Sequence, residues 1–188
     1  MRVISLLLLT LLAGSLQGCF PVVAAGVGTG VLMTQDRRTS GTYIEDQSIE
    51  IKAVERIEKQ FKENVHFNVT SYNRMVLITG EVPSESVKTE ITRIIAGIEN
   101  VRNVNNELVI SGPSSLTSRG SDSLITSNVK LGFVKDKRFN AEHVKVITEN
   151  GTVFLLGLVK RAEAEAATGI ASTTSGVQRV VKMFEYLD

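Results

Sequence analysis

Most of this 188-residue chain is written twice, and that constrains its fold more than any other feature. Residues 69–82 read VTSYNRMVLITGEV and residues 146–159 read VITENGTVFLLGLV. A constant offset of 77 pairs Asn73 with Asn150, Val76 with Val153, Gly80 with Gly157 and Val82 with Val159, and it also pairs His66 with His143. Farther on, Ile95-Ala96 answers Ile170-Ala171, and Val101-Arg102-Asn103-Val104 answers Val177-Gln178-Arg179-Val180, with small register shifts that point to loop-length changes. Similarity at a fixed period marks copies of one folding unit, so two small modules of the same kind are expected.

Each copy reads with the same grammar. In the first, Ile49 or Ile51, Val54, Ile57 and Phe61 have helical spacing over about 46–62. Val65, Phe67 and Val69 alternate along a strand over 65–71, Tyr72-Asn73-Arg74 turns the chain, and a second strand covers 75–82. Pro83 stops it, and Ser84 is placed to cap a helix that carries Val87, Ile91, Ile94, Ile95 and Ile98 on one face. A third strand covers 104–110. The second copy repeats the order with a helix over 122–136, strands over 143–148 and 152–159, an alanine-rich helix over 163–174 and a strand over 180–187. Its hairpin turn contains Asn150-Gly151, a strong hairpin signal. Residues 111–121 are rich in Ser and Gly around Pro113 and read as a flexible linker. The fold class is α+β, with αββαβ in each module.

The amino terminus has a different character. Arg2 is followed by Leu6, Leu7, Leu8, Leu9, Leu11 and Leu12, a basic start and an apolar core that describe a secretory signal peptide over 1–18. The run is too short and too weakly flanked to span a bilayer. It ends in Leu16-Gln17-Gly18-Cys19, which holds the only cysteine. An ordinary signal peptide with a chance cysteine is the plainer reading, but a lone free thiol is an awkward thing to export. The stretch resembles the lipobox of bacterial lipoproteins, in which the thiol is acylated, the chain is cut before it, and the new amino terminus is acylated too. That resemblance implies Cys19 as the lipidation site and membrane anchor. One acyl chain holds a protein only marginally, at about 0.8 kcal/mol per buried CH₂, whereas several make attachment effectively permanent. In such lipoproteins an aspartate after the cysteine favours inner-membrane retention, so Phe20 implies the outer membrane and its periplasmic face. Residues 20–33 are apolar and glycine-punctuated, too short to cross as a helix, and read either as a membrane-proximal tether or as plain disorder. Residues 35–41, with Arg37 and Arg38, read as a polar linker.

Removal of the first 18 residues leaves 170, with 20 basic and 20 acidic side chains. That neutrality argues against a nucleic-acid partner. A single cysteine excludes an internal disulfide, and with no Trp the cores must be aliphatic.

The αββαβ order, the glycine and valine that end the paired strands, and the I-A…G-V-x-x-V tail resemble the BON domain, a small three-stranded module of bacterial envelope proteins. Two of them cover the chain, over 44–112 and 122–188, with a lipidated tether over 19–43 and a linker over 113–121. A lipobox followed by two such domains is similar to the dual BON-domain outer-membrane lipoprotein family (DolP- or YraP-like), and the strings NVTSYNRMVLITG and VKVITENGTVFLLGLV carry that likeness. The chain departs from the pattern at Leu124, where such proteins carry an aromatic residue at the start of the second module's first helix.

Catalytic signatures are missing. There is no Ser/His/Asp set, HExxH, CxxC or phosphate loop, and Gly26-Val27-Gly28-Thr29-Gly30 follows no strand of a βαβ unit. Glu163 and Glu165, on a helix among alanines, read as solvated charges, and the repeat-related His66 and His143 read as structural or exposed positions. The expectation is a protein without enzymatic activity, cofactor or metal, whose role is binding.

The two copies differ in charge. Residues 44–112 hold 8 basic against 11 acidic side chains, and residues 122–188 hold 9 against 8. Lys130, Lys135, Lys137 and Arg138 face only Asp136 nearby. Setting Val129 against Val54 turns Ile125, Val129 and Gly132 or Phe133 toward the sheet, which leaves Leu124, Asn128, Leu131 and Lys135 on the opposite stripe. Leucines beside lysines suit an anionic phospholipid surface, and they equally suit packing on the other module or the linker. The family resemblance implies that the second module binds anionic phospholipid, phosphatidylglycerol or cardiolipin, through this helix. The matching positions here are Leu124, Ser127, Asn128, Lys130, Leu131, Val134 and Lys135. It also implies support of envelope integrity, with concentration at division sites. The alternative role is a protein adaptor for an envelope protease, a peptidoglycan hydrolase or an outer-membrane assembly factor. Each basic residue near a membrane contributes about 1 kcal/mol, so such binding is weak and salt-sensitive, and gains most from an anchor that already holds the chain at the surface.

Overall fold

A computed structural model describes residues 36–62, 65–112 and 114–188. The signal peptide, Cys19 and the tether expected over 20–33 lie outside these residues. In the first module α1 (Ser40–Phe61) is followed by β1 (His66–Tyr72), β2 (Met75–Val82), α2 (Glu85–Ala96) and β3 (Asn103–Ile110). In the second, α3 (Leu116–Lys135) and a 3-10 turn over Ala141–His143 lead to β4 (Val144–Glu149), β5 (Thr152–Val159), α4 (Arg161–Thr173) and β6 (Arg179–Tyr186).

The two hairpins are tight because their turn residues accept the left-handed conformation. Asn73 and Arg74 have φ of 50° and 64°, and Asn150 and Gly151 have 48° and 70°. Two consecutive positive values give the turn whose twist matches that of paired strands. β1 therefore runs antiparallel to β2, and α2 carries the chain back so that β3 lies parallel to β2. The second module repeats both pairings, giving two mixed sheets of order β1-β2-β3 and β4-β5-β6.

Alternation along the central strands divides the burial between two cores. Val76, Ile78 and Val82 point to Ile49, Ala53 and Ile57 of α1 and Ile91 and Ile95 of α2. Val153, Leu155 and Val159 do the same beneath Ile125, Val129 and Phe133 of α3 and the alanines of α4. The residues between them face the other way. Leu77 and Tyr72 meet Phe154, Leu156 and Met183 in a third cluster shared by both modules. The helix-free faces of the two sheets thus pack against each other, which explains why both central strands are apolar almost without interruption.

Two helices begin earlier than their periodicity suggests. α1 starts at Ser40 inside the expected tether, where the Thr39 hydroxyl accepts from the Thr42 N–H, and α3 starts at Leu116 inside the expected linker, capped by Ser115 on the Ser118 N–H. Ser and Thr favour both turns and helix N-caps, so composition alone misplaced these starts. The offset between α1 and α3 is 76, where the pairing of Val129 with Val54 assumes 75. Asp46, Ile49, Ala53 and Ile57 answer Asp122, Ile125, Val129 and Phe133 in burial, so the sister of Val129 is Ala53 rather than Val54. Ile49 is the core residue at the helix start, and Ile51 is 66% exposed.

Candidate functional site

The outer face of α3 carries every residue picked out for lipid contact. Ile125, Val129 and Phe133 are buried against the sheet. On the opposite side Leu124, Leu131 and Val134 are 68%, 56% and 71% exposed, and Ser127, Asn128, Lys130 and Lys135 are exposed beside them. Both leucines thus keep more than half of their surface open rather than covered by the other module or the linker. Ser127 donates its hydroxyl back to the Ser123 carbonyl, leaving outward only its acceptor lone pairs. At the basic end, Arg138 is bound to Asp136 at 2.6 Å, whereas Lys130, Lys135 and Lys137 make no ion pair among the described residues. The uncompensated charge is therefore three lysines. Phe139 folds back edge-on to Phe133, ring centres 5.2 Å apart, and joins the helix end to the 3-10 turn.

The segment read as a polar linker is instead fastened to the fold. Arg37 donates two hydrogen bonds to the Glu163 carboxylate, at 2.6 and 2.8 Å, and a third to the Leu158 carbonyl at 2.9 Å. Arg38 is held by Asp36 and by Asp46, the latter at 2.8 Å, and lies over the Tyr72 ring at 4.1 Å. Glu163 is thus not a solvated charge: the Arg37 guanidinium holds its carboxyl down to about 2. Glu165, its neighbour on α4, is exposed. The His143 imidazole sits 3.9 Å from the same carboxylate, and burial, with Arg37 close by, pushes it below its ordinary value.

His66 has a different partner. Its Nδ1 lies 2.7 Å from Glu81, whose other oxygen accepts from the Asn150 amide of the second module. Glu149 approaches from across the seam and accepts from Asn68 and Thr79. One ligand atom from each of His66, Glu81 and Glu149 lies within 4.8 Å of the others, a set that could hold a metal ion. No spacing rule could find it, because two strands of one module and one of the other supply it. Asp46 and Asp122 were also missed as functional positions. Each accepts the two backbone N–H groups of its module's hairpin turn, at 2.7 to 2.9 Å. Their signal was present as two aspartates 76 apart near the helix starts.

Two αββαβ modules joined sheet to sheet, with an exposed apolar and basic helix face on the second, define a tandem two-domain protein. The BON domain family matches residues 45–112 and again 121–188, and the chain belongs to that family. It is 43% identical over 175 residues to the outer membrane lipoprotein DolP of Haemophilus influenzae, covering 92% of this chain and 91% of that protein. A 21 kDa hemolysin of Actinobacillus pleuropneumoniae is 34% identical over 81% of this chain and 79% of its own. Osmotically-inducible protein Y of Escherichia coli is 26% identical over 74% and 72%. Among the described residues no helix is long and apolar enough to cross a membrane.

Proposed function

We propose that the protein is held by an acylated Cys19 at the periplasmic face of the outer membrane, and that its second BON domain reads anionic phospholipid through the outer face of α3. Phosphatidylglycerol and cardiolipin are the ligands of choice, with envelope integrity, notably at division sites, as the service performed. The observation that carries this reading is the outer face of α3, where Leu124, Leu131 and Val134 are each more than half exposed, together with Lys130, Lys135 and, just past the helix end, Lys137, which make no ion pair among the described residues. Apolar side chains at that spacing enter the acyl boundary while lysines meet phosphates. The similarity to an outer membrane lipoprotein supports the anchor and its location.

Variants of the unacylated chain, Cys19→Ser, test the site on vesicles. Leu124→Glu and Lys130→Glu are expected to weaken binding to phosphatidylglycerol vesicles by about tenfold together, about 1 kcal/mol of it from the lost positive charge. Both side chains are exposed, so thermal unfolding is expected to stay within about 0.5 kcal/mol of the parent. Unchanged vesicle binding would refute the site. Capture of one envelope protein at this helix, with no lipid preference, would favour the adaptor role instead.

A further inference from the structure

Asp36, Arg37 and Arg38 are the first described residues of the fold, and they divide their contacts between the two modules. Arg37 hydrogen-bonds to the second, through the Leu158 carbonyl and a two-pronged bond to Glu163. Arg38 reaches the first, through Asp46 and the face of Tyr72. Tyr72 in turn belongs to the apolar cluster between the sheets. These contacts are not loose surface pairs: the side chains of Arg38 and Asp46 are 8% and 2% exposed, and those of Arg37 and Glu163 are 23% and 13% exposed. A planar guanidinium that meets a carboxylate with two parallel bonds fixes direction as well as distance.

The position of this grip matters. Arg37 and His143 approach one carboxylate, that of Glu163, at 2.6 and 3.9 Å, and His143 ends the 3-10 turn that follows α3. Phe139, in the short stretch between, packs back on Phe133. The chain arriving from Cys19 therefore joins the fold beside the end of α3 that carries Lys135 and Lys137. Sixteen residues lie between Cys19 and Asp36, so the two are at most about 60 Å apart along the chain.

We propose that Asp36, Arg37 and Arg38 form a clasp that fastens the membrane tether to both modules at once, so that anchorage at Cys19 presents α3 to the bilayer by its lysine end. The first half stands on the contacts alone. The second half rests on the lipid reading given above. The seam itself is closed by Tyr72, Leu77, Phe154, Leu156 and Met183. Fixed to both modules, the clasp adds a polar hold across them and sets the tether's point of departure beside the lysine end of α3, with Arg37 and Arg38 as positioning residues.

The test uses the full lipidated chain in phosphatidylethanolamine vesicles with and without phosphatidylglycerol. Trypsin cuts after Arg37 and Arg38, so release of the soluble part reports how often the clasp opens. Because Cys19 is the only cysteine and its thiol is acylated, Val134→Cys supplies one site for an environment-sensitive fluorophore. Glu163→Gln can still cap the Lys160 N–H but loses the charge. It is expected to speed cleavage about tenfold and to reduce the anionic-vesicle blue shift about threefold or more. Cleavage after Arg38 should also be fast in Arg37→Glu and slow again when Glu163→Arg is added, a rescue that a merely helix-stabilising Glu163 would not give. Cleavage of Glu163→Gln at the parent rate overturns the clasp. Faster cleavage with an unchanged blue shift overturns the orienting role. No blue shift even in the parent overturns the lipid reading and the orienting role together, while the protease result still decides the clasp.

Discussion

Asp46 and Asp122 perform the same task in the two modules and differ in what else they hold. Asp122 accepts two backbone N–H groups of the second hairpin. Asp46 accepts the equivalent pair and also the Ser71 hydroxyl and the Arg38 guanidinium. Removing an acceptor leaves buried donors unpaired, at about 1–3 kcal/mol each. Asp122→Ala is expected to destabilise by about 2 kcal/mol and Asp46→Ala by about 4 kcal/mol in urea unfolding. Glu163 gives a pH signature. Its carboxyl is held at about 2, below the ordinary 4.5, so its pairing with Arg37 stabilises the fold fully above pH 4.5 and is lost as pH falls toward 2. The parent should therefore lose on the order of 1–2 kcal/mol relative to Glu163→Gln across that window, measured by denaturant unfolding at a series of pH values. Of these roles, only that of Asp46 and Asp122 left a trace in the chain, as two aspartates 76 apart. A charge on an alanine-rich helix and two arginines among Thr and Ser look solvated until the fold brings residue 37 to residue 163.

At the scale of elements, the hairpins, the αββαβ order and the buried face of α3 were legible, because Asn-Gly and apolar periodicity are local signals. The same periodicity put Leu124 and Leu131 outward, and the fold leaves them there. The repeated glycines were legible as a pattern without a reason. A Cβ on Gly80 would stand 2.2 Å from the His66 carbonyl oxygen, at a φ of 123°, and one on Gly157 would stand 2.5 Å from that of His143. Strands β1 and β2, and the end of the 3-10 turn and β5, meet too closely there for any side chain. Gly80→Ala is expected to cost about 2–3 kcal/mol, visible as a lower thermal midpoint, whereas Ala at the open Gly169 position on α4 should be neutral or slightly stabilising. Helix starts were the least legible feature, since capping Ser and Thr share their chemistry with turns.

For the whole molecule, the arrangement of the modules was out of reach of the sequence. A central strand buried on both faces reads as a continuous apolar run, and nothing in such a run names the second surface that covers it. The seam built by Leu77, Tyr72, Phe154, Leu156 and Met183 joins the modules through one shared apolar cluster, from which a single unfolding transition is expected. Phe154→Ala should cost about 3–5 kcal/mol, and calorimetry should then resolve two transitions where the parent shows one. The proposed function is also a property of the whole molecule, a permanent anchor joined to a weak, charge-dependent reader of lipid. Flotation of the Cys19→Ser chain with phosphatidylglycerol vesicles and with phosphatidylcholine vesicles, each at 50 and 300 mM salt, tests it most directly. The account predicts binding to the anionic vesicles alone, weakened severalfold at the higher salt. Equal binding to both vesicle types, or none to either at low salt, would contradict it.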